Sequence, residues 1–206
     1  MSQETETETK NDSSKPIVTP NYFTTLRDNY FLVNRTIWLT GEISTENSCE
    51  ILKYLNFWND ESKSPVKIFI CSPGGEVDIG FALIDEIEKL KAAKIPVITV
   101  CCGACSSMAS IILAAGTKGK RYTYPHGRIM IHRPSYPDGI DDGTIDGLDI
   151  MKNELSVTSD IMCEMLMKYT GKSKKIIKEA ISSDNFMSAA EAKKFGIVDK
   201  LDTFIA

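Results

Sequence analysis

The chain has 206 residues, 42% of them hydrophobic and 25% charged, with a formal net charge of −4. That is the composition of an ordinary soluble globular protein of one domain's length, large enough to bury a core without covalent staples. The acidic balance gives no support to nucleic-acid binding, and no apolar run approaches the ~20 residues of a membrane span. Six cysteines, at 49, 71, 101, 102, 105 and 163, lie mostly in apolar runs without the spacing of a disulfide scaffold, so reduced thiols in a cytoplasmic protein are expected.

Residues 1–20 are polar, with Glu4, Glu6 and Glu8 among threonines and serines. They predict a disordered tail, with neither the basic start and apolar core of a secretory signal nor an Arg-rich transit segment. Residues 21–206 are then expected to form a single domain. Its core begins near Tyr30 to Leu32. A strand is predicted over 36–43 and a helix over 44–59, with Thr45 as its cap and Ile51, Leu52 and Leu55 on its buried side. Residues 63–65 make a turn. The strand over 66–71 runs into Ser72-Pro73-Gly74-Gly75, where adjacent glycines let the main chain take positive φ and approach a ligand with its N–H groups bare. Ile79, Leu83, Ile87 and Leu90 mark a helix over 78–93, and the strand over 97–102 completes a parallel βαβ unit.

The run VITVCCGACSSMASIILAAG, 97–116, is the stretch around which the chain is organised. It predicts a strand, a tight turn at Gly103 and a buried helix ending at Gly116, with Ser106 and Ser107 at the turn. A hydroxyl at a helix start lies beside N–H groups that have no intrahelical partner and favour negative charge, so a nucleophile there has an electrostatic sink at hand. The alternative is a plain capping serine. Two further strands are predicted over 120–124 and 128–133, around the turn Pro125-His126-Gly127. Residues 134–147, rich in Pro, Gly and Asp, read as an extended loop. A long helix over 150–169 ends at Gly171, and a short one covers 174–181. Ser188 and Glu191 then form a capping box for a last helix stopped by Gly196. Strands alternating with helices make this an α/β protein.

Among the candidate chemical groups, His132 ends a strand near a Gly-rich segment and has the pKa range of a general base. His126 reads as an exposed turn residue. Spacing alone leaves Asp138, Asp141, Asp142, Asp146, Asp149 and Asp184 open as the carboxylate that orients a histidine; Asp184 lies between a helix end and a capped helix, where it is held rigidly. Cys102-Gly103-Ala104-Cys105 is a CxxC at a strand-to-helix junction, the place of a thioredoxin-like redox pair, but its apolar setting favours packing. Zinc lacks a second CxxC, and the acidic loop over 138–149 lacks EF-hand spacing.

The motifs SPGGEVDIG (72–80), GACSSMAS (103–110), AAGTKGKR (114–121), RIMIHRP (128–134), YTG (169–171) and DNFMSAAEAKKFGIVD (184–199) occur in an order and spacing that resemble the proteolytic subunits of the Clp protease, peptidase family S14. The resemblance covers about residues 36–202. It implies a ClpP/crotonase-like superhelical fold with a parallel sheet core and an extended handle segment. It also implies Ser107, rather than Ser106, as nucleophile, His132 as general base, Asp184 as the residue orienting the imidazole, and the main-chain N–H groups of Gly75 and Met108 as oxyanion hole, with no cofactor and no metal. The implied activity is that of a serine endopeptidase acting on unfolded polypeptides. Its implied assembly is a homo-oligomer of two stacked heptameric rings, fed by an AAA+ unfoldase of the ClpX, ClpA or ClpC type, without nucleic acid or membrane. In its departures the chain resembles a divergent member of that family. It has LRDNYFLVN before residue 36, Lys67 in place of an aromatic, Arg133 in place of glutamine, and about three extra residues around 91–96. Two other classes compete: a non-proteolytic ClpP-like assembly subunit, disfavoured by the intact Ser107, His132 and Asp184, and a crotonase-like acyl-CoA enzyme, which gives Ser107 and His132 no joint role.

Overall fold

In the computed structural model, which describes residues 22–135 and 144–202, strand β3 (Val97–Ser106) is the longest of a seven-stranded sheet. Ahead of it come α1 (Tyr22–Val33), β1 (Thr36–Thr40), α2 (Thr45–Glu61), β2 (Val66–Ser72) and α3 (Val77–Ala92). After it come α4 (Met108–Ala115), β4 (Arg121–Thr123), β5 (Arg128–Ile131), α5 (Ile145–Thr170), α6 (Lys174–Ala180), β6 (Asn185–Ser188), α7 (Ala189–Phe195) and β7 (Lys200–Leu201). The tail expected over 1–20 and most of the loop expected over 134–147 lie outside the described residues.

The sheet runs β1-β2-β3-β4-β7, with β5 set between β3 and β6. Only the β5–β6 pair is antiparallel among the described strands. With seven helices among the described residues, this is the α/β architecture with a mostly parallel sheet that the alternation of elements predicted. The first five residues of β3 are all buried, as they must be in a strand covered on both faces. Helix α4 is buried at all eight positions and packs against β3, α3 and α5. Each of its Ile and Leu side chains contributes roughly 1.5–3 kcal/mol of burial, so the segment behind Ser107 is among the firmest in the molecule. Arg121, 1% exposed, holds the far side together: it donates to both carboxylate oxygens of Asp199 and to the carbonyls of Ala114 and Tyr169. Among the described residues no helix is long and apolar enough to cross a membrane.

Several local expectations change. Ser44, not Thr45, caps α2: it is the extended residue just outside the helix (φ −143°, ψ 165°), and its side chain accepts from the Asn47 N–H. Helix α5 starts at Ile145 on a Thr144 cap, earlier than the 150 that its apolar spacing suggested. Strand β1 stops at Thr40, and Ile43 makes an isolated bridge to Gly75. The two strands around Pro125-His126-Gly127 do not pair with each other; β4 and β5 lie end to end along one edge of β3. Gly103 makes no turn, because β3 continues to Ser106. Instead the β2–β3 register slips, from Ile70↔Cys101 to Ser72↔Cys105, and a Cβ at Gly103 would stand 2.8 Å from the Cys71 sulfur. The glycine answers a bulge and a close neighbour.

Candidate active site

Ser107 joins β3 to α4 with φ 54° and ψ −128°, a backbone conformation that costs a non-glycine residue about 1–3 kcal/mol. It stands at the N-cap position of α4 but makes no capping bond. Main-chain contacts hold it on both sides: its N–H donates to the Met130 carbonyl at 2.8 Å, and its carbonyl accepts from the N–H and the hydroxyl of Ser110 at 3.0 and 2.6 Å. The strain is therefore fixed by the surroundings, and the hydroxyl is left for other work.

The glycine turn after β2 packs on this bend. A Cβ at Gly74 (φ 103°) would lie 2.7 Å from the Ser107 Cβ and 2.8 Å from the Ser106 carbonyl oxygen; one at Gly75 (φ 147°) would meet the Ile43 oxygen at 2.1 Å. Only glycine fits either position. The turn is tied down by Ile43, whose N–H donates to the Gly74 carbonyl and whose carbonyl accepts from the Glu76 N–H, both at 2.8 Å, and by the buried Ser72 hydroxyl, which accepts from the Gly74 N–H at 3.1 Å. Among the described residues the N–H groups of Gly75 and Met108 donate to no protein acceptor. The Met108 N–H is one of the orphan donors of a helix start.

His132 follows directly on β5. Its Nε2 lies 2.8 Å from the Ser107 Oγ and its Nδ1 3.2 Å from Asp184 Oδ1. If the Nδ1 proton is donated to the carboxylate, Nε2 is the acceptor for the serine proton. The placement follows from the ladders. Ser106 pairs with Met130 across β3 and β5, and Ile131 pairs with Asn185 across β5 and β6. One step beyond the antiparallel pair sets His132 opposite Asp184, and one step beyond the parallel pair brings Ser107 level with Ile131, so that His132, the next residue, comes within reach of its hydroxyl. The Arg133 N–H donates to the Ile181 carbonyl and the Asn185 side chain to the Ala180 carbonyl, which pins the loop that carries Asp184. The carboxylate itself is open to solvent, with its side chain 61% exposed, whereas His132 is 23% exposed.

His126 is exposed in its turn. Of the other aspartates weighed, Asp138, Asp141 and Asp142 lie outside the described residues, and Asp146 and Asp149 sit in the first turns of α5. All six cysteines are free thiols. Residue-by-residue reading missed Ile43, Ser72 and Ser110. A hydroxyl three residues after Ser107 is a weak signal that was available, but nothing local marks Ile43, which reaches the glycines from more than thirty residues away.

Two comparisons bear on this arrangement. The family model of the Clp protease matches residues 24–203. The ATP-dependent Clp protease proteolytic subunit of Carsonella ruddii (strain PV) is 36% identical over 170 residues, covering 82% of this chain and 84% of that protein.

Proposed function

The chain belongs to the Clp protease family and is a serine endopeptidase of that type; on that premise we propose that Ser107, His132 and Asp184 cut the peptide bond, with Gly75 and Met108 as the oxyanion hole. The observation that carries this reading is the unbroken contact from Ser107 Oγ through the imidazole to the Asp184 carboxylate, at 2.8 and 3.2 Å.

In this mechanism His132 takes the proton from Ser107 as its oxygen attacks the substrate carbonyl, then returns a proton to the leaving amine. Water releases the acyl group by the reverse sequence. The negative charge on the tetrahedral oxygen is received by the two main-chain N–H groups, and such a donor is worth roughly 3 kcal/mol of barrier. Asp184 keeps the imidazole in the tautomer that accepts from serine and steadies its positive form. Because the carboxylate is solvated, its share is orientation more than field strength.

Residues 21–206 act as one peptidase domain in a cytoplasmic particle of two stacked heptameric rings, and an AAA+ unfoldase delivers unfolded polypeptide to it. An oligomer is supported by the apolar side chains that the isolated chain leaves uncovered on α5, where Leu148, Ile150 and Val157 are 44, 64 and 53% exposed. The test is hydrolysis of a fluorogenic peptide and of an unfolded protein, each with and without an added unfoldase, alongside mass photometry. Peptide cleavage by a tetradecamer, with unfoldase-dependent degradation of the protein, is the expected result. A monomer, or a particle that leaves both substrates intact, contradicts the reading.

A further inference from the structure

Strand β3 carries three of the six cysteines within five residues, immediately ahead of Ser107. The bulge between β2 and β3 brings two of them together. From Ile70↔Cys101 to Ser72↔Cys105, β2 advances by two residues while β3 advances by four. Two strand residues span ~6.6 Å and four extended ones ~13 Å. The Cα atoms of Cys101 and Cys105 are therefore held at roughly the shorter distance, at the upper end of the ~4.4–6.8 Å over which a disulfide closes. Ile70 and Ser72 lie on one face of β2, and side-by-side partners in a ladder point the same way, so both thiols are on the same side of the sheet. Both residues are fully buried.

The electrostatics of the pair divide the labour. The neighbouring Cys105 side chain holds the Cys101 thiol down at about 7 against its burial, while burial drives the Cys105 thiol well up; the Cys105 sulfur itself reaches the Ile70 carbonyl at 3.5 Å and the Cys101 sulfur the Gly103 carbonyl at 3.7 Å. Cys102, whose sulfur reaches the Ile70 carbonyl at 3.4 Å, is pushed up to about 11 by burial. Of the three thiols, Cys101 is the one held lowest, so it is the nucleophile of the pair and Cys105 its partner.

We propose that Cys101 and Cys105 are a peroxide-sensitive dithiol whose disulfide switches off the chemistry at Ser107, the second half of which rests on the function proposed above. The Cys101 thiolate attacks one oxygen of hydrogen peroxide, the O–O bond breaks, and a sulfenic acid and a hydroxide result; the hydroxide takes back from solvent the proton that Cys101 gave up on ionising and becomes the first water. The Cys105 sulfur then attacks the Cys101 sulfur and its proton leaves with the displaced hydroxyl as a second water. The two thiols lose two electrons and the peroxide gains them. Closing the S–S bond draws the sulfurs to ~2.05 Å and tightens β3 at Cys105, two residues before Ser107. Ser107 cannot absorb that shift freely, because its N–H is fixed to Met130 at 2.8 Å. A misplacement of ~1 Å at a catalytic group costs on the order of 100-fold in rate.

The test uses the full chain with the exposed thiol removed as Cys49→Ala, treated with hydrogen peroxide. Non-reducing peptide mapping follows the disulfide, and a fluorophosphonate probe follows the reactivity of Ser107, before and after dithiothreitol. A Cys101–Cys105 linked peptide is expected, together with a fall in labelling rate on the order of 100-fold that dithiothreitol reverses. Cys105→Ala and Cys101→Ser should each label at the rate of the untreated parent and resist peroxide. Full labelling of a protein whose disulfide has been mapped overturns the proposal. So does inactivation that persists in both variants, a bond to Cys71 or Cys102 in its place, or no bond at all. A reduced parent that never labels at Ser107 counts against the proposed function instead, and the peptide map then decides alone whether the dithiol closes.

Discussion

Helices α4 and α7 both begin on a serine, and the two serines do opposite things. Ser188 is extended (φ −67°, ψ 166°), caps the Glu191 N–H and receives the Glu191 side chain on its own N–H, a complete capping box. Ser107 is turned to positive φ, caps nothing and gives its hydroxyl to His132. One helix start satisfies its own donors with the serine oxygen; the other leaves the Met108 N–H bare and aligns the serine outward. A capping serine relieves the helix end, so a nucleophilic serine must be held back from that role by the backbone around it. Here Gly74, Met130 and Ser110 do the holding.

The largest effect expected from breaking this contrast is that of Ser107→Ala, which should lower peptide hydrolysis by on the order of 10⁶, measured by single-turnover kinetics, while leaving the size of the particle unchanged. Asp184→Asn should cost less, about 10²–10⁴ in kcat, because the solvated carboxylate orients more than it attracts. A kcat for Asp184→Asn equal to that of the parent would place the orienting role elsewhere than in this carboxylate.

Two stability measurements sharpen the comparison. Asp199→Asn strands the buried Arg121 guanidinium and should cost about 3 kcal/mol in chemical denaturation. Burial pushes the Asp199 carboxyl up, but its bonds to Arg121 and to the N–H groups of Gly119 and Arg121 more than offset this and hold it below the usual carboxylate value. Its folded pKa is depressed, so its stabilisation is present above the unfolded value of ~3.9 and is lost as pH falls through the lower folded value. Asp199→Asn should flatten that acid limb of the stability profile, and an unchanged limb would contradict the assignment. Smallest of all, Ser188→Ala should cost about 1 kcal/mol with hydrolysis retained. Ser107→Gly should be about 1 kcal/mol more stable than Ser107→Ala, since only the former relieves the strained bend. Equal stabilities would mean that the bend stores no strain.

What could be read from the chain alone was local. The α7 capping box needs only Ser188, Glu191 and Gly196, and the buried face of α3 needs only the spacing of Leu83, Ile87 and Leu90; both stand as expected. The resemblance to the Clp proteases, resting on six linked motifs, carried the family, which the comparisons bear out. What could not be read was set by partners distant in the chain. Gly103 looks like a turn until Cys71 is seen to fill the space beside it. Six aspartates remain open until the antiparallel β5–β6 ladder places Asp184 opposite His132. Helix α1 was legible only as a core start near Tyr30, because Leu26, Tyr30 and Val33 face outward, at 48, 66 and 83% exposure, and show no inward stripe. The two-residue β7 is too short for any periodicity to register.

The account depends most on the serine at the start of α4 being the nucleophile. Its most direct measurement is mapping of the adduct formed with a fluorophosphonate probe on the assembled protein, in the parent and in His132→Ala. A single adduct on Ser107, lost when the imidazole is removed, is the predicted result. Continued peptide hydrolysis with the adduct on another serine, or with none, would contradict it.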